Sequence, residues 1–133
     1  MGSLEDKINY WLELASYDLD SAQVMLKGGK YLYVGFMCHQ TIEKALKAYF
    51  TYYNNDTPPY IHNLIRLSEL AGLLSAYDDK QHKTVLTLSP LNIEARYPIQ
   101  KKELESLLTN AYCKQLVEDT EELLQWIKSK LSE

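Results

Sequence analysis

Arginine is nearly absent from this chain of 133 residues: Arg66 and Arg96 are the only two, and the remaining cationic charge is carried by lysine. Cysteine is equally scarce. Cys38 and Cys113 stand far apart in helix-like contexts and form no C-x-x-C, which excludes a disulfide framework and a zinc knuckle and fits a reducing compartment. No long apolar run exists either. The longest, "YLYVGFMC", falls far short of the ~18 residues that a membrane span needs, and the opening residues have no charged, apolar, small-residue leader pattern. The expectation is a soluble cytoplasmic protein. The net charge of −4 argues against retention on nucleic acid by bulk electrostatics and leaves room only for a local basic patch.

What the chain does have is helical periodicity over nearly its whole length. From Leu4 to Leu26 apolar residues recur at three and four positions, with Ser3 placed to cap the helix and Asp6 in its first turn; Gly28 and Gly29 stop it. A second helix is predicted over 31–53, ending before "NNDTPPY", whose paired prolines cannot continue it. A third is predicted over 62–74. A fourth is predicted over 79–95, with a kink or restart at Ser89-Pro90, and Pro98 is read as ending it and opening a loop. A last long helix is predicted over 101–131. No internal repeat, low-complexity tract or linker divides the chain, so residues 1–133 form one all-α domain built as a helical bundle.

The second helix is apolar around most of its circumference, the pattern of a helix in the middle of a bundle. One narrow polar row interrupts it: Gln40, Glu43, Lys44, Lys47 and Thr51. Two readings are open. The row is a solvated strip in which Glu43 and Lys47 pair at i, i+4, worth only ~0.3 to 0.5 kcal/mol, or it is a polar seam facing a cleft or a partner subunit. His39, in an apolar stripe, reads as a core histidine with one satisfied nitrogen. His62 opens the third helix and either holds the preceding loop or binds a ligand, and His82 reads as surface. No H-x-x-x-H or E-x-x-H occurs, so neither a metal nor a cofactor is assigned.

Five elements in order carry a family resemblance: A-x-x-D-L at Ala15, Asp18 and Leu19; Gly29-x-Tyr31; Q-x-x-E-K-x-L-K-A from Gln40 to Ala48; H-x-L from His62 to Leu64; and A-R-Y-P from Ala95 to Pro98. Spread over about 85 residues, this order resembles the HEPN domain of prokaryotic proteins often encoded beside a small nucleotidyltransferase. The resemblance implies an up-and-down bundle of four to five helices that commonly forms a homodimer. Many catalytic HEPN proteins are metal-independent endoribonucleases in which an arginine is followed, after a spacing of four to six residues, by a histidine. The histidine assists 2′-OH attack and the arginine steadies phosphate charge. This chain departs from that pattern. Lys101, Lys102 and Glu103 stand where the histidine should follow Arg96, and Ala71, Gly72 and Leu73 where it should follow Arg66. No catalytic residue is assigned.

The resemblance therefore points to a non-enzymatic HEPN interaction module, a homodimer working with a separately encoded minimal nucleotidyltransferase in a toxin-antitoxin-like or nucleotide-responsive pair. Two alternatives stand beside it: a ribonuclease toxin with a displaced catalytic set, and a free-standing nucleotide-binding protein. The residues expected to contact a nucleotide, an RNA, another anion or a partner are Glu43, Lys44, Lys47, His62, Arg96 and Tyr97. Arg96 either ties its loop to Glu43, joins Lys44 and Lys47 around an anion, or meets a partner. The eleven tyrosines supply interface area, a base-stacking surface or the rim of the core.

Overall fold

The computed structural model describes residues 2–92 and 98–132, with residues 98–100 described by their backbone alone. Among the described residues there are six α-helices and no strand. Helix α1 spans Leu4–Lys27, α2 Tyr31–Asn54, α3 Leu64–Leu70, α4 Asp79–Leu88, α5 Pro98–Leu107 and α6 Asn110–Leu131. None of them is long and apolar enough to cross a membrane.

Local chemistry sets most of these boundaries. Ser3 and Asp6 form a reciprocal capping box at the start of α1: the Ser3 hydroxyl accepts from Asp6 N, and the Asp6 carboxylate accepts from Ser3 N. At the other end Gly29 adopts φ +71°, which lets Lys30 N donate back to Met25 O at 2.8 Å and close the helix. Gly72, at φ +80°, ends α3 the same way, with Leu73 N donating to Ser68 O. It cuts the third helix well short of the span that apolar spacing predicts. Helix α4 opens on a second capping box, Asp78 with Gln81. It gives way at Ser89 and Pro90 to a single 3-10 turn over Ser89–Leu91, the kink expected there.

The closing helix is where periodicity misleads. The stretch predicted as one helix is two, because the chain breaks between Leu107 and Asn110. Thr109 caps α6 by accepting from Tyr112 N, and Leu108 turns inward to only 3% exposure. Pro98, read from sequence as opening a loop, instead sits at the first position of α5, where its missing N–H costs nothing. Leu108 is accommodated by a glycine. A Cβ at Gly35 would lie 3.3 Å from Leu91 Cδ1 and 3.4 Å from Leu108 Cδ1, a tight fit to which those side chains would have to give by a few tenths of an ångström.

Helix α2 is the central element, packed against α1, α3, α4, α5 and α6. Thirteen of its 24 residues are buried, and Val34, Cys38, Ile42, Ala45 and Leu46 are fully so. Around them Leu64, Leu67, Val85, Leu88, Leu123, Leu124 and Ile127 complete one continuous core.

Candidate functional site

The polar row of α2 is not a solvated strip. Glu43 is 3% exposed and Lys47 6%, although both lie in the row that sequence places between two apolar faces. Their burial comes from elsewhere in the chain. Trp11 of α1 and Tyr60 of the α2–α3 loop flank Lys47, their ring centroids 5.5 and 5.7 Å from its ammonium.

Glu43 is the hub. Its Oε1 accepts from His62 Nδ1 at 2.8 Å and from His39 Nε2 at 3.2 Å, and its Oε2 accepts from Lys47 Nζ at 3.1 Å. Three donors from two elements thus converge on one carboxylate. Burial alone would push the Glu43 carboxyl upward; the hydrogen bonds from His39 and His62, together with the charge and hydrogen bond of Lys47, outweigh it and hold the group down at about 2. A carboxylate held that low is a fixed anion and a poor general base, since proton transfer near neutral pH needs a group poised close to 7.

His39 is fully buried, as its apolar stripe implies, and each of its ring nitrogens lies within reach of an acceptor. Nδ1 faces Leu88 O at 2.9 Å while Nε2 faces Glu43. The Leu88 contact depends on the end of α4. Leu88 is the last residue of that helix, and the imidazole reaches its carbonyl where α4 passes into the 3-10 turn.

His62 lies just before α3, whose N-cap is Asn63, its side chain accepting from Arg66 N at 3.0 Å. The His62 side chain is 39% exposed, and Tyr60 stacks edge-on against it with ring centroids 5.0 Å apart. His62 therefore fastens the loop to α2. Lys44, next in the row, is committed differently: it forms an ion pair with Asp18 of α1, which is itself 8% exposed. His82 is exposed, as its polar surroundings suggest.

Four of the six residues expected at the site, Glu43, Lys44, Lys47 and His62, are thus placed along one helix and the loop beside it; Arg96 and Tyr97 lie outside the described residues. Glu43, Lys47 and His62 form one network, and Lys44 stands apart on Asp18. Trp11, Tyr60 and Asp18 complete the arrangement; Asp18 stands in the A-x-x-D-L element, but none of the three belongs to the expected site set. The readable signal was the spacing of His39, Glu43 and Lys47 at successive helical turns.

An open cavity of about 380 Å³ lies beside the cluster, lined by Tyr10, Trp11, Thr51, Thr57 and Pro58 and rimmed by Asp6 and Lys7. Thr51 belongs to the polar row and donates its hydroxyl hydrogen to Lys47 O at 2.8 Å, so the row continues from the ionic cluster to the cavity wall.

Comparison with known proteins agrees with this architecture. The crystal structure of TT1696 from Thermus thermophilus is similar with a TM-score of 0.75 and 22% identity, covering 93% of this chain and 98% of that one. ST0689, an archaeal HEPN homologue, is similar with a TM-score of 0.71 and 20% identity over 98% of this chain and 99% of that one. At those identities the likeness concerns the fold. No curated protein matches. The HEPN domain family model matches residues 8–130, nearly the full length, and the chain therefore belongs to the HEPN domain family.

Proposed function

We propose that the chain is a non-enzymatic HEPN interaction module, a homodimer that works with a separately encoded minimal nucleotidyltransferase in a toxin-antitoxin-like or nucleotide-responsive pair. The observation that carries this reading is the internal pairing of the charged residues of the α2 polar row. Glu43 is contacted by His39, His62 and Lys47, Lys47 is buried on Glu43, and Lys44 is paired with Asp18. A phosphate would have to displace those partners, each a charged or buried group whose loss is costly.

In this reading Glu43 and Lys47 work from inside, holding His62 and the rings of Trp11 and Tyr60 in place at the surface. Arg96 and Tyr97 belong to the partner-binding set on sequence grounds alone. The test is purification of the tagged chain from its native host, with identification of what remains bound. A stoichiometric nucleotidyltransferase supports the reading. Recovery of a homogeneous chain bound only to RNA fragments or a free nucleotide contradicts it.

A further inference from the structure

Helix α1 carries an apolar stripe on the side away from the core. Tyr10, Tyr17 and Val24, seven residues apart, are 58%, 71% and 64% exposed. Half-buried Leu14 and Ser21 fall between them and complete an alternating three-four spacing from 10 to 24, the repeat of a coiled-coil seam. The stripe runs roughly 21 Å along the helix at ~1.5 Å per residue. Nothing in the fold requires these large side chains at exposed positions, since α1 meets α2 through its opposite face, where Ala15, Leu19 and Ala22 are buried.

A second feature runs in register with the first. Asp6, Glu13 and Asp20, also seven apart, each lie three or four residues from the neighbouring stripe residues, which puts an acid beside every step of the seam. Asp6 is occupied with the Ser3 cap, but among the described residues Glu13 and Asp20 form no ion pair. Next to them α1 and α6 leave a shallow groove of about 440 Å³ lined by Asn9, Glu13, Ser16, Tyr17, Asp20 and Lys128. Lys128 donates to Ser16 Oγ at 3.2 Å, which leaves both carboxylates available.

We propose that this face of α1 docks an amphipathic helix of a partner protein that sets apolar residues on Tyr10, Leu14, Tyr17 and Val24 and lysine or arginine against Glu13 and Asp20. The inference rests on the interaction-module reading and names the surface and the chemistry of the partner. Charge decides the occupant. In a coiled-coil seam the flanking positions select the partner by pairing opposite signs. A second copy laid antiparallel on the stripe would set the acidic row against itself. Laid parallel, it would bring Trp11, Asp18 and Met25 to the row, none of them a cation, and leave Glu13 and Asp20 unpaired. A basic partner helix pairs with the row in either orientation.

The probes are two synthetic three-heptad peptides with leucine along the seam, one flanked by lysine and one by glutamate, titrated against the full chain by fluorescence anisotropy at physiological salt. The basic peptide is expected to bind at least tenfold more tightly than the acidic one. Tyr17→Ala should weaken it at least fivefold, and Glu13→Lys with Asp20→Lys should reverse the preference. The same double charge change on α5, Glu103→Lys with Glu105→Lys, should leave the preference intact, which separates docking from attraction to an acidic protein. Equal binding of both peptides, or a preference moved equally by the α5 variant, overturns the proposal. So does sedimentation in which Tyr17→Glu converts a dimer to a monomer, because the stripe is then covered by a second copy. The peptide titration is independent of whether the chain cleaves RNA, so it can fail while the interaction-module reading stands, and the reverse also holds.

Discussion

His39 and Glu43, one turn apart on α2, share a contact of 3.2 Å in a fully buried setting, and the other nitrogen of the same imidazole lies 2.9 Å from the carbonyl of Leu88. Both nitrogens face acceptors. A neutral imidazole carries one N–H, so its tautomer decides which of the two acceptors it donates to. The contact links the centre of α2 to the end of α4, and through Glu43 to Lys47 and His62.

Removing the hub should be the most damaging single change in the cluster. Glu43→Ala leaves the Lys47 ammonium and two histidines without their acceptor in a buried site, an effect of about 3 to 5 kcal/mol. Glu43→Gln keeps the shape and one acceptor oxygen and should lose clearly less. Urea unfolding of both variants against the parent, at equal m-value, measures the difference. Equal small losses of a few tenths of a kcal/mol would contradict the buried hub.

Acid should unfold the protein through this carboxylate. The ordinary value for glutamate is ~4.3, and in the folded chain Glu43 is held down at about 2. A depressed folded value means that its stabilising contribution is fully present above the unfolded value and is lost as pH falls from about 4 toward 2. Melting temperatures of the parent should therefore drop more steeply across that window than those of Glu43→Gln. Parallel profiles would contradict the assignment.

His62 ties the α2–α3 loop to the helix with a partly exposed hydrogen bond, so His62→Ala should cost only about 0.5 to 1.5 kcal/mol while loosening the loop far more than the core. Hydrogen exchange should speed up at amides in residues 56–63 and remain unchanged in α6. Uniform acceleration across the chain would mean that the effect is global destabilisation.

The two thiols should be inert in the native protein. Burial pushes Cys38 up to about 12, the main effect, and Cys113 up to about 11. At pH 8 alkylation by a small reagent should proceed only at the rate of unfolding and should become fast in denaturant. Rapid labelling of either thiol in buffer would contradict their burial.

How much of this was legible in the sequence depends on how local each determinant is. The Ser3–Asp6 box, the Gly28-Gly29 stop and the paired prolines act within a few residues and could be read directly. The break before α6 could not be read from periodicity, because Leu104 and Leu108 keep the helical spacing while Leu108 is drawn inward toward the space left at Gly35. Only the cap at Thr109 signalled it. The burial of Glu43 and Lys47 was equally hidden, since His62, which bonds Glu43, and the rings of Trp11 and Tyr60, which flank Lys47, come from other parts of the chain. The second nitrogen of His39 meets a carbonyl 49 residues away. The order of the motifs gave the family, and tertiary contacts decided the state of each polar residue.

The central claim, that the chain acts by binding a partner and not by cutting RNA, is tested most directly by incubating the purified protein with single-stranded and structured RNA without added metal. Intact RNA with every substrate is the predicted result, because Lys101, Lys102 and Glu103 occupy the positions where the family's ribonucleases place a histidine. Cleavage by the parent protein that Arg96→Ala abolishes while the melting temperature stays unchanged would contradict the account.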